Sequence, residues 1–317
     1  MGEKRIGAGS FADAFVAAGV GRNARLDRIE GLFDWKRLFK LLKPVRSPSG
    51  RKGYPALSMF KALLLQQWYG LSDPGLEEAL LDRLSFRRFC GFSLDDATPD
   101  ETTFVRFRAV LAEQELAEAL FCEVNAQLEA HGLVLKSGTL IDASLVEASV
   151  RRPKGYSGER SELDPDANWT RQYRSYTFGY KAHIAADEGS CLIRKVRMTP
   201  AKIYESEVAD DLIVGDERAV YADKAYEHKG RRKRLKAQGI KDRIMHRANK
   251  HHGLTHWQKT RNRLIIPIRS QVEKLFGTLK RSYGLNRARY RGLRKNASHL
   301  HLMCIALNMR RAETLTP

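Results

Sequence analysis

The sequence predicts an all-helical N-terminal region, residues 1–135, followed by an α/β domain with a mixed sheet over residues 136–317. Two observations carry that reading. Before residue 135 the apolar residues recur at helical spacing, whereas at Gly138 the period changes to short strand-length runs that later alternate with helices. The length, 317 residues with 43% hydrophobic side chains, suffices for one large domain or two modest ones around a packed core.

A polar stretch from Pro44 to Pro55 precedes the first clear helix, the largely apolar run Leu57 to Tyr69. Asp73 followed by Pro74, with Glu77 and Glu78 close behind, is a helix start: proline's fixed φ suits the first turn, and acids there meet the positive end of the helix dipole. Helical phasing continues through Arg88. Thr98-Pro99-Asp100-Glu101 opens another helix, in which Phe104, Phe107, Val110 and Leu111 share a face, running on towards Leu128. Leu140 to Val146 reads as a strand with Asp142 inside it, and a loop of Arg, Pro, Gly and Ser follows to about Asp166. Phe178 to Ala186 and Leu192 to Thr199 are strands separated by Asp187-Glu188-Gly189-Ser190, a hairpin-turn composition. Glu205 to Val214 is helical, and Arg218 to Ala222 is a short buried strand ending at Asp223. Glu227 to Gln238 is a basic helix and Ile240 to Met245 a further strand. The last polar stretch, His246 to Lys259, leads into a helix through Glu273 to about Tyr283. Three hairpin-connected strands, then alternating helices and strands, then a terminal helix is the order of a ribonuclease H-like fold.

Lys and Arg number 56 against 37 Asp and Glu, a formal charge of +19, so polyanions are the expected partners. An acidic membrane would need a lipid anchor or a basic amphipathic helix, and the sequence offers neither. The apolar run Phe11 to Val20 is broken by Asp13 and followed by no cleavage site, which argues against a signal peptide. No run approaches the roughly 20 apolar residues of a membrane span. Cys90, Cys122, Cys191 and Cys304 form no C-x-x-C pair, so a zinc knuckle and a disulfide framework are not indicated, and a reducing cytoplasm fits.

Three acids suggest chemistry. Asp142 and Asp223 lie in or at the end of apolar strands, where an unpaired carboxylate is costly to bury; a bound metal explains them, as does an Asp that caps a turn or pairs with a nearby cation. Glu273 is the only acid between Asp242 and Glu313, in a segment dense with Lys and Arg. Ile268, Val272, Leu275, Leu279 and Tyr283 can form the apolar stripe of its helix, leaving Arg269, Glu273 and Lys280 on an adjoining face. A metal ligand flanked by two phosphate-holding cations is one reading; an i,i+4 ion pair with Arg269 is the other. Convergent carboxylates could hold two Mg²⁺ ions about 3.5 to 4 Å apart, which serve phosphodiester cleavage by stabilising both the attacking and the leaving oxygen.

These residues resemble the DDE transposases of bacterial insertion sequences, of the insertion-sequence-five type within the group sharing a Tyr-Arg-Glu-Lys signature. The landmarks are Thr139-Leu140-Ile141-Asp142-Ala143-Ser144, Asp164-Pro165-Asp166-Ala167-Asn168-Trp169, Phe178-Gly179-Tyr180-Lys181-Ala182-His183 and Tyr221-Ala222-Asp223-Lys224-Ala225-Tyr226. Arg269, Glu273 and Lys280 match the Arg-Glu-Lys part, but the signature's Tyr falls at Ile266. Thr199 to Ser206 resembles a segment that usually carries His-Asp before its Ser, where this chain has Tyr204-Glu205. The resemblance implies catalytic, metal-binding Asp142, Asp223 and Glu273, with Asp142 shared by two Mg²⁺ or Mn²⁺ ions, and Arg269 and Lys280 on terminal phosphates. It further implies double-stranded DNA as partner, both terminal inverted repeats and target, a homodimer or higher oligomer on DNA, and a cytoplasmic, nucleoid-associated location.

The N-terminal helices resemble the family's DNA-binding region, with Arg87-Arg88 and Arg106-Arg108 as backbone contacts or, alternatively, as ordinary solvated faces. Lys224, and Arg231, Arg232 and Arg234 in the basic run Lys229 to Lys236, are further DNA-contact candidates, the alternative for the run being a solvated face. His246, His251, His252 and His256 lack the Cys partners of a zinc site. Trp169, Phe178 and Tyr180 could stack on a flipped base, though core packing is the simpler role. A DNA-binding protein that has lost catalysis and a nuclease that cuts without strand transfer remain as alternatives; end cleavage separates the first, joined products the second.

Overall fold

The computed structural model describes residues 3–9, 13, 19–45, 52–153, 161–172, 175–248 and 252–316. Most of Phe11–Val20, parts of the polar stretches at 44–55 and 147–166, and His251 lie outside the described residues. The chain divides into two compact units: a helical one made of residues 1–130 and 301–317, and an α/β one made of residues 131–300. Residues 301–317 thus cluster with the first 130 and not with the α/β unit that precedes them.

In the helical unit, α1 (Ala24–Leu32) and α2 (Trp35–Leu42) start at Asn23 and Asp34, whose side chains accept from the backbone N–H groups of Leu26 and Lys36. Helix α3 (Ala56–Tyr69) turns nearly every face inward. Even Lys61 is buried there, paired with Glu30 at 2.7 Å and lying over the rings of Trp35 and Phe89. The expected helix through Arg88 is two, α4 (Asp73–Asp82) and α5 (Leu84–Cys90), because Arg83 is extended. The one expected from Thr98 to Leu128 is also two, α6 (Glu101–Glu113) and α7 (Leu116–Ala130), broken where Glu115 takes a φ of 54°.

The α/β unit holds a six-stranded sheet. Strand β1 (Thr139–Glu147) is at its centre, bordered by β2 (Asn168–Gln172), β3 (Ser175–Asp187) and β4 (Ile193–Pro200) on one side. Strand β3 runs antiparallel to β1 along one edge and meets β2 and then β4 along the other. After α8 (Glu205–Leu212), strand β5 (Ala219–Ala222) pairs parallel to β1, and after α9 (Lys229–Ala237), β6 (Lys241–Ile244) pairs parallel to β5. An antiparallel meander with parallel strands added beyond its first member is the ribonuclease H-like arrangement. Ile141, Val220, Ala222 and Ile244 pack with Val208, Leu212 and Leu235 of α8 and α9 in one apolar cluster.

Helix α10 (His256–Ser282) lies against β1 and β5, burying Ile265, Val272, Leu275, Phe276 and Leu279; Ile268 and Tyr283, expected in that stripe, stay half-exposed. Helix α11 (Leu293–Leu315) begins in the α/β unit and ends in the helical one. Its start is held by the acidic landmark: Asp164 accepts from Tyr180 Oη at 2.5 Å and from Gly292 N at 3.1 Å, and Asp166 from Leu293 N at 2.8 Å. Tyr180 and Phe178 are core residues, and Trp169 packs on Phe178 with ring centroids 5.3 Å apart. No helix among the described residues is long and apolar enough to cross a membrane.

Gly179 fixes the crossing of β3 over the end of β1. A Cβ there would stand 2.2 Å from Val146 O and 2.7 Å from Ala148 N, and its φ is +157°. Backbone cannot step aside as a side chain can. Gly179→Ala should therefore cost more than about 3 kcal/mol of stability, read by urea unfolding; a loss under about 1 kcal/mol would show that the strands can separate without penalty.

Candidate active site

The site is set by register. Ile141 pairs with Ala222, so the next residues on these parallel strands, Asp142 and Asp223, occupy neighbouring positions. Asp142 continues within β1, while Asp223 ends β5 and caps the 3-10 turn Lys224–Tyr226, its Oδ1 accepting from Lys224 N at 2.5 Å. Glu273 comes from α10, one turn after Arg269, and remains 57% exposed.

Arg269 joins them. Its guanidinium, only 14% exposed, stands 3.6 Å from Asp142 Oδ2 and hydrogen-bonds Glu273 Oε1. Burial works against the Arg269 charge, but Asp142, Asp223 and Glu273 together outweigh it and raise its pKa. Asp142 is pushed up to about 6, first by burial and further by the charges of Glu205 and Asp223, with Arg269 and the Ala143 N–H pulling the other way. Glu205, at the start of α8, is thus a fourth acid acting on this site. It is half-buried, 3.6 Å from Lys181 Nζ.

The acids surround one guanidinium without being spaced for one ion: no group of three His, Cys, Asp or Glu among the described residues has metal-site geometry. The donor set nonetheless fits a hard divalent cation. It consists of carboxylate oxygens, one of them desolvated, gathered about a positive charge that an ion could replace.

The other expected contacts divide. Arg269, expected on phosphate, points into the acids. Arg231 is 2% exposed and donates to Asp210 Oδ1 at 2.8 Å, Ser206 O at 2.5 Å and Tyr226 O, so it ties α8, α9 and the 3-10 turn together and cannot reach DNA. Arg232 is likewise spent on Asp242, Glu227 and the Ile244 carbonyl. Arg234 is exposed but pairs with Asp210. Lys224 is exposed and Lys280 half-exposed, and neither ammonium makes an ion pair among the described residues. In the helical unit Arg87 is buried on the carbonyls of Leu80, Ser93, Leu94 and Asp96, and Arg108 on Asp73, whereas Arg88 and Arg106 are exposed. Tyr226, buried beside the acids, was legible only as the end of the Tyr221–Tyr226 landmark, and Glu205 only as the acid at the family's usual Asp position.

Residues 135–309 match the family Transposase DDE domain. Residues 16–110 match the Transposase domain (DUF772). Among solved structures, the cryo-EM structure of a piggyBac transposase synaptic complex with hairpin DNA is similar at 12% identity, over 89% of this chain and 75% of that one, with a TM-score of 0.47.

Because folding raises the Asp142 pKa from 3.8 to about 6, ionisation opposes folding: stability present in acid is lost as pH rises through that interval. The unfolding free energy of metal-free protein minus that of Asp142→Asn should fall by on the order of 3 kcal/mol between about pH 4 and about pH 8. A difference that does not change with pH would place Asp142 in water.

Proposed function

We propose, on the ground that this chain belongs to the Transposase DDE domain family, that it cuts DNA at the ends of a bacterial insertion sequence and joins the freed 3′-hydroxyl to target DNA. Members of that family are transposition enzymes and generally use divalent cations. The observation that carries the reading is the gathering of Asp142, Asp223 and Glu273 around Arg269.

In this reading Asp142, Asp223 and Glu273 are the catalytic and metal-binding residues. Mg²⁺ or Mn²⁺ held there, two ions in full, would neutralise charge developing on the phosphate oxygens and stabilise the attacking and leaving oxygens alike. Arg269 balances the acids beforehand and, once released from Glu273, offers a planar fork to a phosphate. Lys280, two turns beyond Glu273, presents a point charge to the neighbouring strand. Lys224 and the exposed Lys233 and Lys236 of α9 extend the phosphate-binding surface in place of Arg231 and Arg232. The helical region, with Arg88 and Arg106, recognises the terminal inverted repeats, and two or more copies hold the two ends.

Asp142→Asn, Asp223→Asn and Glu273→Gln should each slow cleavage of end-containing DNA by a factor on the order of 10³ or more while leaving its binding nearly intact. Near-wild-type cutting by Glu273→Gln would remove it from the site. Lys280→Ala should weaken end binding and slow single-turnover cleavage without changing Mn²⁺ affinity; unchanged rates at all DNA concentrations would make it a solvated side chain. Cut but never joined products would favour a nuclease.

Binding should also depend steeply on salt. With six to ten phosphate contacts, affinity falls by about 10³ to 10⁵ between about 50 and about 200 mM salt. A nearly flat dependence would contradict a phosphate-dominated interface.

A further inference from the structure

A buried hydroxyl beside the acidic cluster has no partner. Tyr226 closes the 3-10 turn three residues after Asp223 and has no exposed surface. It belongs to the same apolar cluster as Ile141 and Ala222, the residues that directly precede Asp142 and Asp223. Its phenol oxygen is buried and makes no hydrogen bond among the described residues. Stranding a donor in an apolar cluster is unfavourable, and Phe would fill the same space without that cost. The oxygen therefore needs an acceptor that this arrangement does not supply.

The charges that reach it come from the site. Burial first, then Asp142 and Glu205, and after them Asp223, hold the phenol well above its ordinary pKa, with Arg269 opposing. It stays protonated and serves only as a neutral hydroxyl. Its backbone is pinned, since the Tyr226 carbonyl accepts from buried Arg231. The ring is thus held in place while Asp142 faces Arg269 at 3.6 Å, a contact that a cation would disrupt.

We propose that Tyr226 is a positioning residue for the metal site, its hydroxyl donating to the Asp142 carboxylate in the cation-bound protein and fixing that carboxylate's orientation. The inference rests on the metal-binding reading above. Carboxylates that hold metals are commonly hydrogen-bonded from behind, and losing such a partner costs about 10- to 100-fold in metal affinity. In the metal-free protein the same hydroxyl contributes nothing, which distinguishes it from a packing residue.

The test compares wild type, Tyr226→Phe and Asp142→Asn as full-length, metal-free proteins. Mn²⁺ dissociation constants come from counting free ion by electron paramagnetic resonance, and the near-ultraviolet tyrosine difference band is recorded on adding Mg²⁺. Tyr226→Phe should melt at or above the wild-type temperature without metal, bind Mn²⁺ about 10- to 100-fold more weakly, and lose the Mg²⁺-induced band. Wild-type Mn²⁺ affinity in Tyr226→Phe, with weakened binding in Asp142→Asn, overturns the role of Tyr226 alone. Wild-type affinity in both overturns the metal site and this inference with it. A metal-free Tyr226→Phe protein that melts well below wild type would make the hydroxyl structural and likewise overturn the proposal.

Discussion

The α/β unit is organised around a central strand whose second ladder stops one residue short of an aspartate. β1 is bonded antiparallel to β3 along its whole length and parallel to β5 at its start, and its fourth residue is an aspartate. Burying a carboxylate where the β5 ladder ends removes water from it, and the fold answers with positive charge. That answer is Arg269, and it explains why α10 lies where it does: the helix buries Val272, Leu275 and Leu279 on one stripe while presenting Arg269 and Glu273 beside it. Strand register, helix placement and the electrostatics of the acids are one constraint expressed three times.

Much of this was legible because it is written in periodicity. Leu140 to Val146 and Phe178 to Ala186 differ from the observed strands by one to three residues at each end, and Asp73-Pro74 and Asp100-Glu101 mark helix starts by local capping chemistry. What stayed hidden depends on distant partners. Helices α1 and α2 are short, and their caps precede no long apolar run. The run Leu302–Leu307 is apolar on all sides, a pattern that signals burial without saying against what. The acids Asp142, Asp223 and Glu273 stood out by rarity and position, but Arg269 turning inward could not be read from spacing, which places it equally well toward solvent.

The basic residues teach the same lesson more sharply. A run such as Lys229–Lys236 reads as one charged face, yet α9 lies on the sheet and must bury one side, and the arginines are the residues that can go there. Five N–H donors in a rigid fork let Arg231 satisfy a carboxylate and two backbone carbonyls at once, and Arg87 four carbonyls. Lys229, Lys233 and Lys236, each with a compact and strongly hydrated ammonium, are left outside. The net charge of +19 therefore does not by itself say which cations are available to a polyanion.

The helical unit is built from both ends of the chain: Trp68 Nε1 donates to Ala306 O at 2.8 Å, and Arg25 and Arg28 meet Glu313. Seen from the ribosome, this inverts the order of maturation. Residues 131–300 can close as soon as they emerge, while the helices that precede them wait, with part of α3 uncovered, for residues 301–317. A message broken before residue 301 would deliver every acid of the site on a chain whose opening helices never find their cover. Exposed apolar surface of that kind draws chaperones and proteases, so synthesis of residues 301–317 limits maturation of the fold although every acid of the site precedes them.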